Sequence, residues 1–187
     1  MAFLDNRTAR SLRLVLVIVA FAGAFRVSAQ DGHVEDEVKA VFLLNFAKYV
    51  GWPPSTFGDR PWAPMHLCLV APTSFIDTVK DAIAGESIDG HPLVTMTPGT
   101  ADEARDCHVL YVAKSETARM RPVLEALRTT PILTIVDGPS GEDDGSVIIL
   151  VRDQNRVRFD VSRPAASAKG LSISAKLLRV ARRVEEH

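Results

Sequence analysis

The residues with most chemistry to offer are two cysteines and two histidines, which come as neighbouring pairs: His66 with Cys68, and Cys107 with His108. Two thiolates and two imidazoles would make a zinc ligand set. Strand alternation opposes that reading. His66 and Cys68 are two apart and share a face, whereas Cys107 and His108 are consecutive and point to opposite faces. Convergence of all four would need a broken strand. In an oxidising compartment the same cysteines would instead join two strands as a disulfide. Closing a loop of about 40 residues stabilises a fold by roughly 4 kcal/mol in the chain-entropy treatment. Disulfide, free thiols and zinc stand as readings in that order.

The patterns of nucleophilic and nucleotide chemistry are missing from the sequence. There is no G-x-S-x-G elbow, and Pro139-Ser140-Gly141 reads as a turn. Gly138, Gly141 and Gly145 form neither a phosphate-binding loop nor a dinucleotide fingerprint. Glu142, Asp143 and Asp144 do not match a calcium loop and read as a solvated one. His33, His91 and His187 sit in polar or terminal settings without a visible partner. No catalytic residue, metal ligand or cofactor is assigned. Two surfaces remain. Asn45, Lys48 and Trp52 close an apolar N-terminal helix, as a partner contact or as capping and snorkelling at a core edge. Lys176, Arg179, Arg182 and Arg183 form a basic face on the last helix, for an acidic partner or for solvent.

The elements that must position these residues alternate. Glu35-Asp36-Glu37 place acids in a first helical turn, where the dipole favours them. Val38 to Val50 is then apolar nearly all round, so it needs cover on several sides, by its own domain or by a partner. Gly51 and Pro53-Pro54 stop it, and Phe57 to Pro64 is a loop. Strands are expected at Met65 to Ala71, Leu93 to Met96, Cys107 to Ala113 and Ile132 to Val136. Helices fall between them: Ser74 to Ala84 on the stripe Phe75, Ile76, Val79 and Ile83; a short one from Thr100 to Arg105; and one opened by Pro122 at its first position. Val147 to Val151 and Arg156 to Val161 flank Asp153-Gln154-Asn155 as a β-hairpin. Pro164 to Lys169 ends at Gly170. Ser172 caps a last helix with Ile173, Leu177, Val180, Ala181 and Val184 on one stripe. The expected fold is a single α/β domain: a central mixed β-sheet flanked by helices, with a C-terminal β-hairpin and two terminal helices.

The 187 residues carry a formal net charge of −1, with 47% hydrophobic and 24% charged residues, an ordinary globular composition. The first thirty residues distort it. Arg7, Arg10 and Arg13 precede the apolar run Leu14 to Ala24, and Val27-Ser28-Ala29 has the small-residue pattern of a cleavage site, the layout of a secretory leader. Arg26 ends the run short of the roughly 20 apolar residues that span a bilayer. Cleavage after Ala29 leaves residues 30–187 with 18 Lys and Arg against 22 Asp and Glu, about −4. An exported, mildly acidic chain does not fit electrostatic nucleic-acid binding.

Asp36 to Pro54 (DEVKAVFLLNFAKYVGWPP) closely resembles the opening signature of the YfiR/HmsC-like family. The likeness continues through Cys107 to Val112 (CHVLYV), Asn155 to Phe159 (NRVRF) and Leu171 to Leu178 (LSISAKLL). The resemblance implies a periplasmic α/β protein without catalytic activity. It would restrain an inner-membrane diguanylate cyclase, or a sensor kinase, by binding its periplasmic sensor domain, and so hold down cyclic di-GMP and biofilm formation. It further implies a homodimer, sequestration by an outer-membrane lipoprotein, and a structural disulfide at Cys68 and Cys107. A second cysteine pair known in the family has no counterpart here, where Glu142 to Gly145 fill the region. The alternative is a periplasmic small-molecule sensor. Ligands of α/β sheets favour the carboxyl ends of strands, here the loops after Ala71, Ala113 and Val136.

Overall fold

In the computed structural model, which describes residues 27–58, 60, 62–139 and 145–186, the apolar runs become an eight-stranded sheet. Residues 1–26 of the expected leader, most of the acidic loop (140–144) and His187 lie outside the described residues. The elements in chain order are α1 (Val27–Lys48), β1 (Val50–Gly51), a 3₁₀ turn (Pro54–Thr56), β2 (Met65–Val70), α2 (Thr73–Ile83), β3 (Ser87–Ile88), β4 (His91–Met96) and α3 (Ala101–Ala104). They continue with β5 (Val109–Val112), a 3₁₀ turn (Lys114–Glu116), α4 (Thr117–Ala126), β6 (Leu133–Asp137), β7 (Ile148–Asp153), β8 (Arg156–Ser162), α5 (Arg163–Ala168), β9 (Ser172–Ile173), α6 (Ala175–Val180) and β10 (Arg183–Glu185). Residues 37–187 form one compact unit, with residues to Asp36 as another.

The sheet order is β10-β8-β7-β6-β5-β2-β4-β3. β4, β2, β5, β6 and β7 run parallel, and their order is the 2-1-3-4-5 of one doubly wound class, which reverses direction between β2 and β5. β7 and β8 are antiparallel and turn at Gln154 and Asn155, both at positive φ (47° and 61°), the geometry of a two-residue hairpin. β1 and β9 make a separate antiparallel pair.

Because side chains alternate along a strand, a doubly covered sheet needs continuous apolar runs. Leu67, Leu69, Val109, Tyr111, Leu133 and Ile135 share one core cluster with Ala40, Leu43 and Phe46 of α1 and Phe75, Val79 and Ile83 of α2. Cys68, Val70, Leu110, Val112 and Val136 share the other with Met120 and Leu124 of α4. The aromatic rings of Phe42 and Phe46 meet that of Phe159 edge-on at 5.7 and 4.8 Å. Ser162 Oγ accepts from Ala165 N–H at the start of α5, and Gly170 follows that helix at φ +68°.

Three expectations change. α1 starts at Val27, well before Glu35-Asp36-Glu37, so those acids lie inside the helix and none stands in its first turn; Val38 and Val41 on α1, and Tyr49 just after it, are exposed, so its own domain covers only part of it. Pro122 lies inside α4 rather than opening it; the 3₁₀ turn at Lys114–Glu116 feeds the helix earlier, which buries Met120 at the cost of the hydrogen bond that proline cannot donate. The last helix is short. Ser174, not Ser172, caps α6, and the chain leaves it after Val180 to lay β10 parallel on β8, whose outer backbone groups would otherwise stay unpaired.

Candidate functional site

The two expected surfaces do not merge into one site. On the first, Asn45 is half-buried, while Lys48 is exposed and lies 3.5 Å from Glu86. Trp52 is half-buried with its ring edge-on to Phe57 at 6.5 Å, and its Nε1 is buried without a partner. On the second, Lys176 and Arg179 are exposed on α6, but Arg183 is exposed on β10, on a different element. Arg182 is not a free member of a basic face. It forks onto both carboxylate oxygens of Asp160, which lifts the guanidinium pKa further above its ordinary value. That pair fastens the turn between α6 and β10 to β8.

At the carboxyl ends of the strands, where a doubly wound sheet usually takes its ligand, α1 supplies a cation. Lys39 Nζ lies 2.7 Å from Asp137 Oδ2 at the end of β6, and Tyr111 Oη donates to the same oxygen at 3.4 Å. The Lys39 side chain is only 11% exposed, so the ion pair is bound into the packing of helix on sheet.

The amino ends hold a different assembly. His66 near the start of β2, His108 before β5 and His91 at the start of β4 come together because their strands are neighbours in the sheet. Phe57, from the loop after the first 3₁₀ turn, stacks on His91 (3.9 Å between ring centroids) and on His108 (4.7 Å). His66 meets His108 edge-on at 5.5 Å. Hydrogen bonds set the tautomers. His66 Nδ1–H donates to the Asp106 carbonyl at 2.8 Å, and His91 Nδ1–H to the Ala63 carbonyl at 2.7 Å. The His66 backbone N–H donates to His108 Nδ1 at 3.1 Å, which leaves the His108 proton on Nε2. Burial, then the neighbouring His66 and His91, push the His108 pKa down to about 4.

Beside this stack lies a cleft of about 630 Å³, lined among others by Thr56, Arg60, His66, Arg105, Asp106 and His108, within the size range of small-molecule sites. Cys68 and Cys107 form the expected disulfide, with Cα atoms 5.8 Å apart and a sequence separation of 39. Bonding the two sulfurs to each other removes the zinc reading. Among the described residues no group of three or more His, Cys, Asp or Glu side chains is placed to hold a metal ion, and no helix is long and apolar enough to cross a membrane.

Sequence reasoning compared His66 and His108 only as metal ligands and gave His91 no partner. The available signal was the repeated placing of a histidine at a strand's first positions, in MHLCLV, HPLVTM and CHVLYV.

Comparison with known proteins places these features. The YfiR/HmsC-like family profile matches residues 36–182. A conserved domain protein from Vibrio cholerae is similar in structure, with TM-score 0.51 and 13% sequence identity, over 69% of this chain and 57% of that one. So is an ABC domain in complex with L-Trp from Streptococcus pneumonia, with TM-score 0.50 and 11% identity, over 78% of this chain and 60% of that one. The chain thus spans less than two thirds of either structure, and at these identities the likeness is one of fold.

Proposed function

The chain belongs to the YfiR/HmsC-like family, and on that premise we propose that it is a periplasmic regulator without catalytic activity. It restrains a membrane-bound diguanylate cyclase, or a related sensor kinase, by binding the periplasmic sensor domain of that enzyme. The observation that carries this reading is the extent of the family match, residues 36–182, which takes in the whole α/β sheet apart from β10. Residues 1–29 direct export and are then removed, so the exported chain begins at Gln30. Release of restraint raises cyclic di-GMP and promotes biofilm formation, with sequestration by an outer-membrane lipoprotein as one route and a homodimer as the acting form.

Restraint needs no chemistry. A protein that binds the inactive sensor conformation more tightly than the active one shifts the equilibrium by its difference in affinity, and a hundredfold preference amounts to about 2.7 kcal/mol. Two exposed patches support such a contact. Val41, 53% exposed, lies on α1 with Val38, and exposed Tyr49 follows the helix; Lys176, Arg179 and Arg183 carry positive charge near the C-terminus. Asn45, Lys48 and Trp52 border the first patch.

Deleting the gene is expected to raise cyclic di-GMP and surface attachment, and a chain carrying Val41→Glu with Arg179→Glu is expected to fail to restore restraint while folding normally. Unchanged cyclic di-GMP in the deletion strain rejects the reading.

A further inference from the structure

The amino-edge cleft is unused by this regulatory reading. Its chemistry is specific. Arg60 and Arg105 are both exposed on its lining, against one carboxylate, that of Asp106. Asp102 competes for Arg105, but from 3.7 Å and in full solvent exposure, where such pairs contribute little. Thr56 Oγ1, also on the lining, is buried without a hydrogen-bond partner. A buried hydroxyl in that state is left without a partner, and a small turn of the Thr56 side chain toward the cleft would let a ligand atom supply one. His108 carries its proton on Nε2 because Nδ1 is occupied. Pro64, Pro131 and Ile132 give the cleft an apolar wall. The faces of Phe57 are already taken by His91 and His108, so the loop bearing Thr56 is held in place before any ligand arrives.

We propose that this cleft binds a small organic anion, its carboxylate or phosphate head between Arg60 and Arg105 and within reach of Thr56 and His108, its short apolar body against Pro64, Pro131 and Ile132. Guanidinium groups suit both head groups through paired N–H donors. The groups that face the head are Arg60, Asp106 and Arg105 from the loops, with Asp102 behind Arg105, His66 from β2, His108 beside it and, behind Phe57, His91 from β4. Anion binding is therefore linked to protonation of this cluster. The bound charge favours the cationic form of His108 and raises its titration midpoint, and by reciprocity the anion binds more tightly as pH falls. The site stands apart from the regulatory reading: its loss leaves restraint of the enzyme untested, and loss of restraint leaves the site intact.

The test is an NMR titration of the purified protein with benzoate, phenyl phosphate and, as the neutral control, benzamide, read at the imidazole Cε1–H resonances. Saturable shifts of His66 and His108 are expected with at least one anion, with benzamide at least tenfold weaker. The tighter of the two anions tells a carboxylate source from a phosphate one. Arg60→Gln and Arg105→Gln are exposed substitutions that leave the fold intact; each is expected to weaken binding at least threefold, and the pair more than tenfold. The His108 midpoint is expected to rise by about one pH unit at saturation. Absence of saturation with both anions, equal binding of benzamide, or full affinity in the double variant overturns the proposal.

Discussion

The two ends of the parallel strands are fastened in opposite ways. At the carboxyl ends, charge holds α1 to the sheet: Lys39 meets Asp137 with Tyr111 beside it. At the amino ends a covalent bond does the fastening, Cys68 to Cys107, and the polar groups near it are imidazoles, two of them stacked on a phenyl ring. In a doubly wound sheet the carboxyl ends are the usual place for a ligand. Here that place receives a helix, and open, partly unsatisfied polar surface appears at the opposite edge. A rule about topology tells where a crevice can form; the residues of the covering helix decide whether it stays open.

Each fastening has its own way of failing, and the contrast orders the expected effects. The largest is covalent. Reducing the disulfide, or replacing both cysteines by serine, is expected to cost about 4 kcal/mol through the freed loop, measured by urea denaturation with and without reductant. If oxidised and reduced chains unfold at the same urea concentration, the amino edge is not fastened by its disulfide. Next is Asp137→Ala, which withdraws a carboxylate at 2.7 Å from a nearly buried ammonium. Breaking one side of a buried pair costs about 3 kcal/mol, and replacing Lys39 by Met in the same chain is expected to recover most of it. A loss within 0.5 kcal/mol for Asp137→Ala alone would make the pair a surface ornament.

The smallest effect belongs to the histidines. His108 titrates near 4 in the folded chain and near 6.5 when unfolded. Between those values the unfolded state binds more protons, so stability is full above about pH 6.5 and declines as pH falls toward 4. Allowing for solvent screening at a half-buried ring, the decline is on the order of 1–2 kcal/mol. His108→Asn keeps an acceptor for the His66 N–H and removes the titration, so its stability is expected to be flatter over that interval, as read by thermal unfolding at stepped pH. A slope equal to that of the parent chain would assign the acid sensitivity to other groups.

Much of the architecture was legible in the sequence for identifiable reasons. Met65 to Val70 and Leu133 to Asp137 are buried on both faces, and continuous apolar runs announce that. Thr100 was legible as a cap because its hydroxyl accepts from Glu103 N–H, a local interaction between residues three apart. The C-terminal segment was misread because Leu177, Val180 and Val184 also satisfy helical spacing. What overrides the period is remote: the open edge of β8 and the carboxylate of Asp160. Pro122 deceived for the opposite reason, since its strong preference for a first helical turn lost to burial of Met120 two residues before it. The amino-edge cluster was the least legible. Phe57, His66, His91 and His108 come from four separated stretches, and only the order of β4, β2 and β5 makes them neighbours. The cysteines beside them were legible because their pairing needs only an oxidising environment and two adjacent strands.

The disulfide has one more consequence. It joins β2 to the residue two before β5, the strands on either side of the point where the strand order reverses. The 39-residue separation encloses α2, β3, β4 and α3, which are the crossover and the outer strands of one half of the sheet. An oxidised chain that unfolds is therefore a closed ring carrying two tails. When it refolds, the neighbour of β2 on that side is already chosen, so the reversal in strand order is held as covalent memory through any loss of packing.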